Sequence, residues 1–192
     1  MRQKGNLFII SAPSGSGKTT LCNRIVGSFG DLDRSISMTT RTPRPGERDG
    51  TDYIFIQKEE FLKRKKRGEF LEWAKVFDEY YGTPKKYITH MLKKGRDVLL
   101  SIDVQGAMKI RRLKMRAVYV FIMPPSLEML KERLVNRSTD SRKEIEKRLR
   151  VAKKEMSYVR KYDYAVVNNN LNSAVENLRA IIMAERCSTG RS

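Results

Sequence analysis

The chain has 192 residues, 40% of them hydrophobic and 32% charged, with a formal net charge of +18. This length and balance indicate one globular domain that buries its core without metal or disulfide support, and they exclude a disordered or membrane-embedded chain. The charge excess leaves two explanations open: a polyanionic nucleic acid as partner, or small and heavily phosphorylated ligands.

Short runs rich in β-branched and aromatic residues predict five buried strands, at residues 7–11, 53–56, 98–102, 117–123 and 164–167. Helical patterns lie between most of them. This alternation predicts an α/β fold with a parallel sheet covered by helices on both faces. The turn-rich, charged segment 39–50 interrupts the alternation, and we interpret it as an ordered insert around a small β unit.

Several polar residues and one proline mark predicted helix starts. Pro84 can take the first helical position behind Thr83, and Ser126 can cap a helix over residues 127–137. Two further helices are predicted to begin with capping boxes, Ser141 with Glu144 and Ser173 with Glu176.

The remaining composition excludes several classes of site. Cys22 and Cys187 have no CxxC spacing, which argues against a zinc site or a disulfide framework and predicts two buried thiols. The basic run 63–67 follows Glu59 and Glu60 at i to i+4 spacing, which favours a solvated helix face over a nucleic-acid patch. No apolar run approaches the ~20 residues that span a bilayer, and no secretory signal is visible. We therefore expect a cytoplasmic protein with no membrane partner.

The run APSGSGKT at residues 12–19 lies between a predicted strand and a predicted helix, as a phosphate-binding loop does. Gly15 and Gly17 allow successive N–H groups to converge on phosphate oxygens, and the helix adds its positive end. Lys18 would reach the β- and γ-phosphates, and the Thr19 hydroxyl would ligate Mg²⁺. Ala12 stands where the general pattern has its first glycine. The expected ATP-binding residues of this segment are Ala12, Pro13, Ser14, Gly15, Ser16, Gly17, Lys18, Thr19 and Thr20.

Further motifs follow the loop in a fixed order: SMTTRTPRPGE at 37–47, DY at 52–53, EWA at 72–74, YYGT at 80–83 and IDVQG at 102–106. Together they resemble guanylate kinases, which are P-loop nucleoside monophosphate kinases, over nearly the whole chain. The resemblance implies transfer of phosphate from ATP to GMP, and to dGMP, with Mg²⁺. It also implies one domain with a core of about 1–36, 96–132 and 152–192, a GMP-binding insert of about 37–95 and a short helical lid of about 133–151.

The chemistry of guanine agrees with this resemblance. Guanine presents N1–H and N2–H₂ as adjacent donors that one ionised carboxylate accepts, whereas adenine has an acceptor at N1. By resemblance, Glu72 is that carboxylate, Ser37 and Thr83 bind the base, and the GMP phosphate is held by Arg41, Arg44, Tyr53 and Tyr81. Taken singly, these residues have plainer interpretations: Thr83 as a helix cap, the tyrosines as core or turn aromatics, and Glu72 as a surface charge.

Asp103 follows the predicted strand 98–102, where its carboxylate either orients Mg²⁺-bound water or contacts the acceptor. By resemblance it is one of the GMP-binding residues. The family usually has a second Asp two residues earlier, where this chain has Ser101.

The resemblance also assigns residues late in the chain. Arg137 and Arg148 match the lid arginines that contact the transferring phosphoryl group, and Arg133 is a further candidate. With Lys18 and Arg41 they complete the expected catalytic set. Asn168 and Asn169 match positions that contact the adenine of ATP, the second being commonly acidic in the family.

Three other functions remain open. Scaffold proteins contain related domains that bind proteins and have lost catalysis, but those lack an intact phosphate loop, which is present here. A related kinase could act on a different phosphorylated acceptor, and Glu72 is the residue that discriminates between the two. Nucleic-acid binding is suggested only by the net charge.

Overall fold

A computed structural model of the protein describes residues 4–76, 78–135 and 142–189. Within these ranges its strands are, in chain order, β1 (Leu7–Ser11), β2 (Leu32–Ser35), β3 (Met38–Thr39), β4 (Ile54–Phe55), β5 (Phe70–Val76), β6 (Glu79–Pro84), β7 (Asp97–Ser101), β8 (Val118–Met123) and β9 (Tyr164–Val167). Its α-helices are α1 (Lys18–Gly27), α2 (Lys58–Lys66), α3 (Lys85–Lys93), α4 (Val104–Arg112), α5 (Leu127–Val135), α6 (Arg142–Met156) and α7 (Leu171–Cys187). A short 3-10 helix, Val159–Lys161, precedes β9.

A parallel sheet forms the centre of the molecule. Among the described residues it has five strands in the order β2-β7-β1-β8-β9. β1 is buried along its whole length, because a parallel strand covered by helices has no side that faces solvent. On one face α1 and α7 pack through residues such as Leu21 and Leu178, and on the other α3 and α4 pack through Ile88 and Ile110. The predicted parallel sheet with helices on both faces is confirmed.

A second, smaller sheet has the strand order β4-β3-β6-β5. β5 and β6 pair antiparallel, which places Glu72 opposite Thr83. The buried Phe61 of α2 packs on this pair, with its ring centroid 4.5 Å from that of Phe70 and 5.3 Å from that of Tyr80. The predicted small β unit is therefore present, and it has its own aromatic packing.

Four of the five predicted strands lie in the central sheet, with ends within one residue of the predicted ones. The fifth prediction, a buried strand over 53–56, was wrong: the segment forms the two-residue β4 of the smaller sheet, and its side chains are half-buried. β2, β3, β5 and β6 were not predicted. β2 is an edge strand that pairs with β7, and its two central side chains, Asp33 and Arg34, are charged, so its sequence carries little apolar signal.

The predicted helix starts had mixed outcomes. Ser126 caps α5 as expected, its Oγ accepting a backbone N–H at 3.1 Å. The predicted capping box at Ser173 was wrong, because α7 begins three residues earlier than that box implies and the Asn170 side chain accepts two backbone N–H groups, at 2.9 and 3.2 Å. α3 begins just after Pro84 instead of at it. The remaining predicted box starts at Ser141, which lies outside the described residues.

Some predictions from composition can also be compared with the structure. Cys22 is buried as predicted, but Cys187 is exposed at the end of α7. On α2, Arg64 Nε lies 2.7 Å from Glu60 Oε1, which is the i to i+4 pair read from the basic run. None of the helices in the described ranges combines the length and the apolar character needed to cross a membrane.

Helix α7 offers a test of the packing on the central sheet. Leu178 is fully buried against the sheet, whereas Met183 on the same helix is 47% exposed. Leu178→Ala should lower the free energy of unfolding by roughly 2–5 kcal/mol, because it leaves a cavity in the core. Met183→Ala should change it by less than about 0.5 kcal/mol. Chemical denaturation of both variants measures these changes, and equal effects would show that α7 does not pack as described.

Candidate active site

The segment between β1 and α1 has the backbone path of a phosphate-binding loop. Gly15 has φ 89° and Gly17 has φ 81°, both in the left-handed region that favours glycine. Ala12 has no such φ and is buried at the end of β1, so a methyl group is accommodated where the general pattern has glycine. Gly17 immediately precedes α1, whose first backbone N–H groups are therefore directed toward the loop.

Asn168 supports the loop from behind. It follows β9, and its Nδ2 donates to the backbone oxygen of Ser16 at 2.8 Å. A Cβ on Gly17 would lie 2.5 Å from this Nδ2, so the support itself requires glycine at that position. The backbone oxygen of Asn168 accepts from Arg133 Nη2 at 3.1 Å. The structure thus places buried Asn168 against the phosphate loop and leaves its neighbour Asn169 exposed.

Lys18 lies where the central strands end. Its Nζ donates to Ser101 Oγ at 2.9 Å and to the backbone oxygen of Ile102 at 3.2 Å. Burial lowers the pKa of Lys18, and the nearby charge of Asp103 opposes this only in part. Ser101 therefore provides the ammonium group with a neutral acceptor. Thr19 and Thr20 follow in the first turn of α1 and are exposed.

Glu72 and Thr83 form a buried pair in the smaller sheet. Thr83 Oγ1 donates to Glu72 Oε1 at 2.6 Å, and both residues are buried. The plainer interpretations of Glu72 as a surface charge and Thr83 as a helix cap were therefore wrong. The pKa of Glu72 is raised to about 7, mainly by burial and also by the negative charge of Asp103, while the Thr83 hydrogen bond acts in the opposite direction.

Helix α4 connects this pair to the central sheet. A Cβ on Gly106 would lie 2.9 Å from Glu72 Oε2, so glycine there allows the carboxylate to approach the helix. Asp103 caps α4, its carboxylate accepting from the backbone N–H of Gly106 at 2.8 Å. The charge of Asp103 acts on both Lys18 and Glu72. The residues expected at the two nucleotide sites thus meet near the N-terminus of α4.

The expected phosphate-holding residues of the insert surround Arg41. Its Nη2 donates to the two carboxylate oxygens of Glu47 at 2.8 and 2.9 Å. The Arg41 guanidinium carbon lies 5.5 Å from the centroid of the Tyr53 ring, and the Tyr53 and Tyr81 ring centroids are 6.0 Å apart. Arg44 is exposed beside them, with its backbone N–H on Glu47. This cluster presents guanidinium and phenol groups together.

Ser37 and those expected lid arginines that the structure describes are less buried than Glu72 and Thr83. Ser37 is half-buried just before β3, where its backbone oxygen accepts from Ile54. Arg148 lies on α6 with its side chain exposed, and Arg133 is tied to Asn168 as described above. Arg137 lies outside the described residues.

The sequence reasoning missed two contributors to this site, Glu47 and Glu155. Glu47 holds Arg41 in position. Glu155, in the last turn of α6, is half-buried, and its electrostatic interactions with Asp103 and Lys18 place it near the phosphate loop. One signal was available for Glu155: it follows Ala152 by three positions, at the edge of the apolar stripe of the predicted helix.

Comparison with known proteins gives a consistent result. The family model described as guanylate kinase matches residues 4–185. The guanylate kinase of Caldanaerobacter subterraneus subsp. tengcongensis is 47% identical over 192 residues, covering 100% of this chain and 93% of that protein. The guanylate kinase of Coxiella burnetii is 50% identical over 183 residues, covering 95% and 89%. The crystal structure of guanylate kinase from Anaplasma phagocytophilum matches with a TM-score of 0.81 at 34% identity, covering 98% of this chain and 90% of that one. The loop, the buried carboxylate and these matches together show that the chain belongs to the guanylate kinase family.

Proposed function

We propose that this protein transfers the γ-phosphoryl group of ATP directly to GMP, giving ADP and GDP, and that dGMP is a second acceptor. Membership of the guanylate kinase family supports the reaction. The observation that carries the choice of acceptor is the buried Glu72, whose carboxylate is held by Thr83 and lies against α4. An ionised carboxylate accepts N1–H and N2–H₂ of guanine, whereas the N1 acceptor of adenine would face it with repulsion.

The proposed donor site is the phosphate loop. Its N–H groups and the positive end of α1 would bind the triphosphate, and Lys18 would leave its neutral partner Ser101 for the β- and γ-phosphates. Asn168 would act here by supporting the loop, while the exposed Asn169 is free to contact adenine. Catalysis would come from positioning and charge neutralisation, with Arg137 and Arg148 on the transferring group.

The proposed acceptor-phosphate site is the cluster around Arg41, with Arg44, Tyr53 and Tyr81. Because Glu47 takes one nitrogen of the guanidinium group, it orients Arg41 and leaves other donors for the GMP phosphate. The second pKa of a phosphate monoester is near ~6, so the acceptor is already largely ionised at neutral pH and no general base is required. Ser37 would add a hydroxyl to the base, and Asp103 would contact the acceptor or metal-bound water.

Magnesium is the proposed cofactor, with the Thr19 hydroxyl as its protein ligand. Among the described residues, no group of three or more His, Cys, Asp and Glu side chains could hold a metal ion. Mg²⁺ in kinase sites is usually bound mainly by water and substrate phosphates, and Thr19 is exposed at the start of α1 where it can join them. When bound, Mg²⁺ neutralises charge on the β- and γ-phosphates.

The segments would divide this work. The insert of about 37–95 carries the acceptor contacts and the lid of about 133–151 carries the lid arginines. Their closure over the core of about 1–36, 96–132 and 152–192 would exclude water, which would otherwise take the place of GMP as acceptor. The cytoplasm, where both nucleotides are available, is the proposed compartment.

An acceptor panel tests the proposed function. With ATP as donor, ADP formation should be at least about 100-fold more efficient in kcat/KM with GMP and dGMP than with AMP, CMP or UMP. Glu72→Gln should lower kcat/KM for GMP by about 10–100-fold and leave the KM for ATP unchanged, because one acceptor of the base is replaced by a donor. Glu59→Gln, an exposed change on α2, is the control. Equal use of AMP by the unaltered protein would disprove the assignment.

Replacing Lys18 tests the donor site. Lys18→Ala should lower kcat by at least about 100-fold, since it removes the positive charge expected on the transferring phosphates. Lys93→Ala, an exposed change on α3, should retain full activity. Circular dichroism would establish that both variants are folded. Undiminished turnover in folded Lys18→Ala would show that the loop does not bind the donor.

Burial of Glu72 also predicts a dependence of stability on pH. Its pKa is 4.5 in the unfolded reference and about 7 in the folded protein, so the folded state keeps a proton that the unfolded state has released. The stability of the protein relative to Glu72→Gln should therefore be greatest below the lower value and fall, by roughly 1–3 kcal/mol, as pH rises through this window. Urea denaturation of both proteins at pH 5 and pH 8 measures it. A difference that does not change with pH would contradict the raised pKa of the buried Glu72 carboxyl group.

A further inference from the structure

Strand β5 forms one edge of the smaller sheet and contacts helix α4 of the larger one. Within the described ranges, the strand order leaves one side of β5 without a strand partner, and backbone groups on such an edge need other partners. Lys109 of α4 is one such partner: its Nζ donates to the backbone oxygen of Trp73. A side chain from a helix on the central sheet thus binds the main chain of the smaller sheet directly.

The residue bonded by Lys109 directly follows the carboxylate that we propose to bind guanine. Glu72 precedes Trp73 on β5, and a Cβ on Gly106 of α4 would lie 2.9 Å from Glu72 Oε2. Gly106 precedes Lys109 by three residues, which is less than one helical turn. The Lys109 bond and the close approach of the carboxylate are therefore adjacent on α4. A movement of β5 away from Lys109 would also move Glu72 away from Gly106.

Apolar packing between α4 and β5 lies beside this bond. Leu71 of β5 is buried in the same apolar cluster as Ala107 and Ile110 of α4. Apolar contacts have no preferred direction, whereas a hydrogen bond weakens steeply when its donor and acceptor lose their alignment. The Lys109 bond therefore adds the directional constraint at this junction.

The ring of Trp73 provides a matched comparison between two lysines. Lys65 Nζ of α2 lies 3.6 Å from the ring centroid, and Lys109 Nζ lies 5.2 Å from it. Both lysines are half-buried. Among the hydrogen bonds of the described residues, only that of Lys109 reaches the main chain of β5. Replacement of Lys65 therefore removes a cation from the ring and leaves the bond between α4 and β5 in place.

We propose that Lys109 is a positioning residue for the acceptor site, whose bond to the Trp73 backbone oxygen holds β5 on α4 and so fixes the Glu72 carboxylate in the orientation that receives guanine. The proposal rests on the proposed function for the role of Glu72. It assigns to Lys109 a hydrogen-bond donor of sufficient reach. The charge of Lys109 also lowers the pKa of Glu72, but burial, the Thr83 hydrogen bond and the charge of Asp103 affect that pKa more.

Two substitutions of Lys109 test the bond. Lys109→Met keeps an unbranched apolar chain without the donor, and it should lower kcat/KM for GMP about 10-fold, mainly through the KM for GMP, with the KM for ATP unchanged. Lys109→Arg keeps a donor of similar reach and should stay within about 3-fold of the unaltered protein. Lys65→Met is the matched control and should match the unaltered protein. Equal losses in Lys109→Met and Lys65→Met, or in Lys109→Met and Lys109→Arg, would overturn the proposal.

Measurements at two pH values separate the bond from the charge of Lys109. Because the pKa of Glu72 is about 7, a loss caused only by the missing charge should be largely regained at about pH 8.5, where Glu72 is ionised in both proteins. A loss caused by the missing bond should persist, so that the kcat/KM for GMP of Lys109→Met remains about 10-fold lower at both pH 7 and pH 8.5. Recovery to within about 2-fold at the higher pH would overturn the positioning role.

Two further measurements need no turnover. In calorimetric titrations, the Kd for GMP should be about 10-fold higher for Lys109→Met than for the unaltered protein or Lys65→Met. In the ligand-free protein, amide hydrogen exchange of a peptide that covers residues 70–76 should be faster in Lys109→Met than in Lys109→Arg or Lys65→Met. An unchanged Kd together with unchanged exchange in Lys109→Met would overturn the proposal.

Combination with Glu72→Gln tests whether the two residues act together. If Lys109 acts through Glu72, the double variant Glu72→Gln/Lys109→Met should use GMP no less efficiently than Glu72→Gln alone. Losses that multiply would overturn this coupling.

The proposal and the proposed function fail in different ways. An unaltered protein that does not phosphorylate GMP would overturn the proposed function, and the role of Glu72 with it. Normal turnover of GMP by the unaltered protein, together with undiminished kcat/KM in Lys109→Met, would overturn only the positioning role of Lys109.

Discussion

The shared direction of the central strands is the constraint on which the rest of the structure depends. Because the five described strands of the central sheet are parallel, the segments that follow them emerge at one edge of that sheet. The phosphate loop follows β1, Asp103 follows β7 and Asn168 follows β9. Residues 152 positions apart can then meet in one hydrogen bond, from Asn168 to Ser16. Residues at neighbouring strand ends contact the phosphate loop and support its backbone conformation. That conformation therefore depends on the sheet as well as on the glycines of the loop.

The smaller sheet holds the carboxylate of Glu72 in a buried position. Glu72 is positioned by a register, opposite Thr83, and by an approach to α4 that only glycine at 106 allows. Both contacts favour a fixed orientation of the Glu72 side chain, whereas burial favours the protonated form of its carboxyl group. A guanine base that donates to the carboxylate would favour the ionised form instead. If Glu72 binds the acceptor base as proposed, recognition and stability would make opposite demands on its protonation state.

Most of the fold and the proposed donor site could be predicted from the sequence, because both depend on local patterns. Apolar runs mark the central strands, and the spacing of Gly15, Gly17 and Lys18 marks the loop. The pairing of Glu72 with Thr83 could not be read in this way, since β5 and β6 were not predicted and a cross-strand contact depends on register. The same limit applies to Asn168, whose support of Ser16 is set by the order of strands. At Ser173 the sequence has the pattern of a capping box, but the side chain of Asn170 caps α7 three residues earlier.

The bond between Lys18 and Ser101 has a consequence for the empty protein. A carboxylate at that position would neutralise the ammonium group, but a hydroxyl only orients it. Burial therefore lowers the pKa of Lys18, and the nearby charges of Asp103 and Glu155 offset this only in part. A bound polyphosphate would remove this electrostatic stress, so that folding and nucleotide occupancy are thermodynamically linked. If Lys18 binds the triphosphate as proposed, the phosphates would give its ammonium group a further counter-ion beside Asp103 and Glu155.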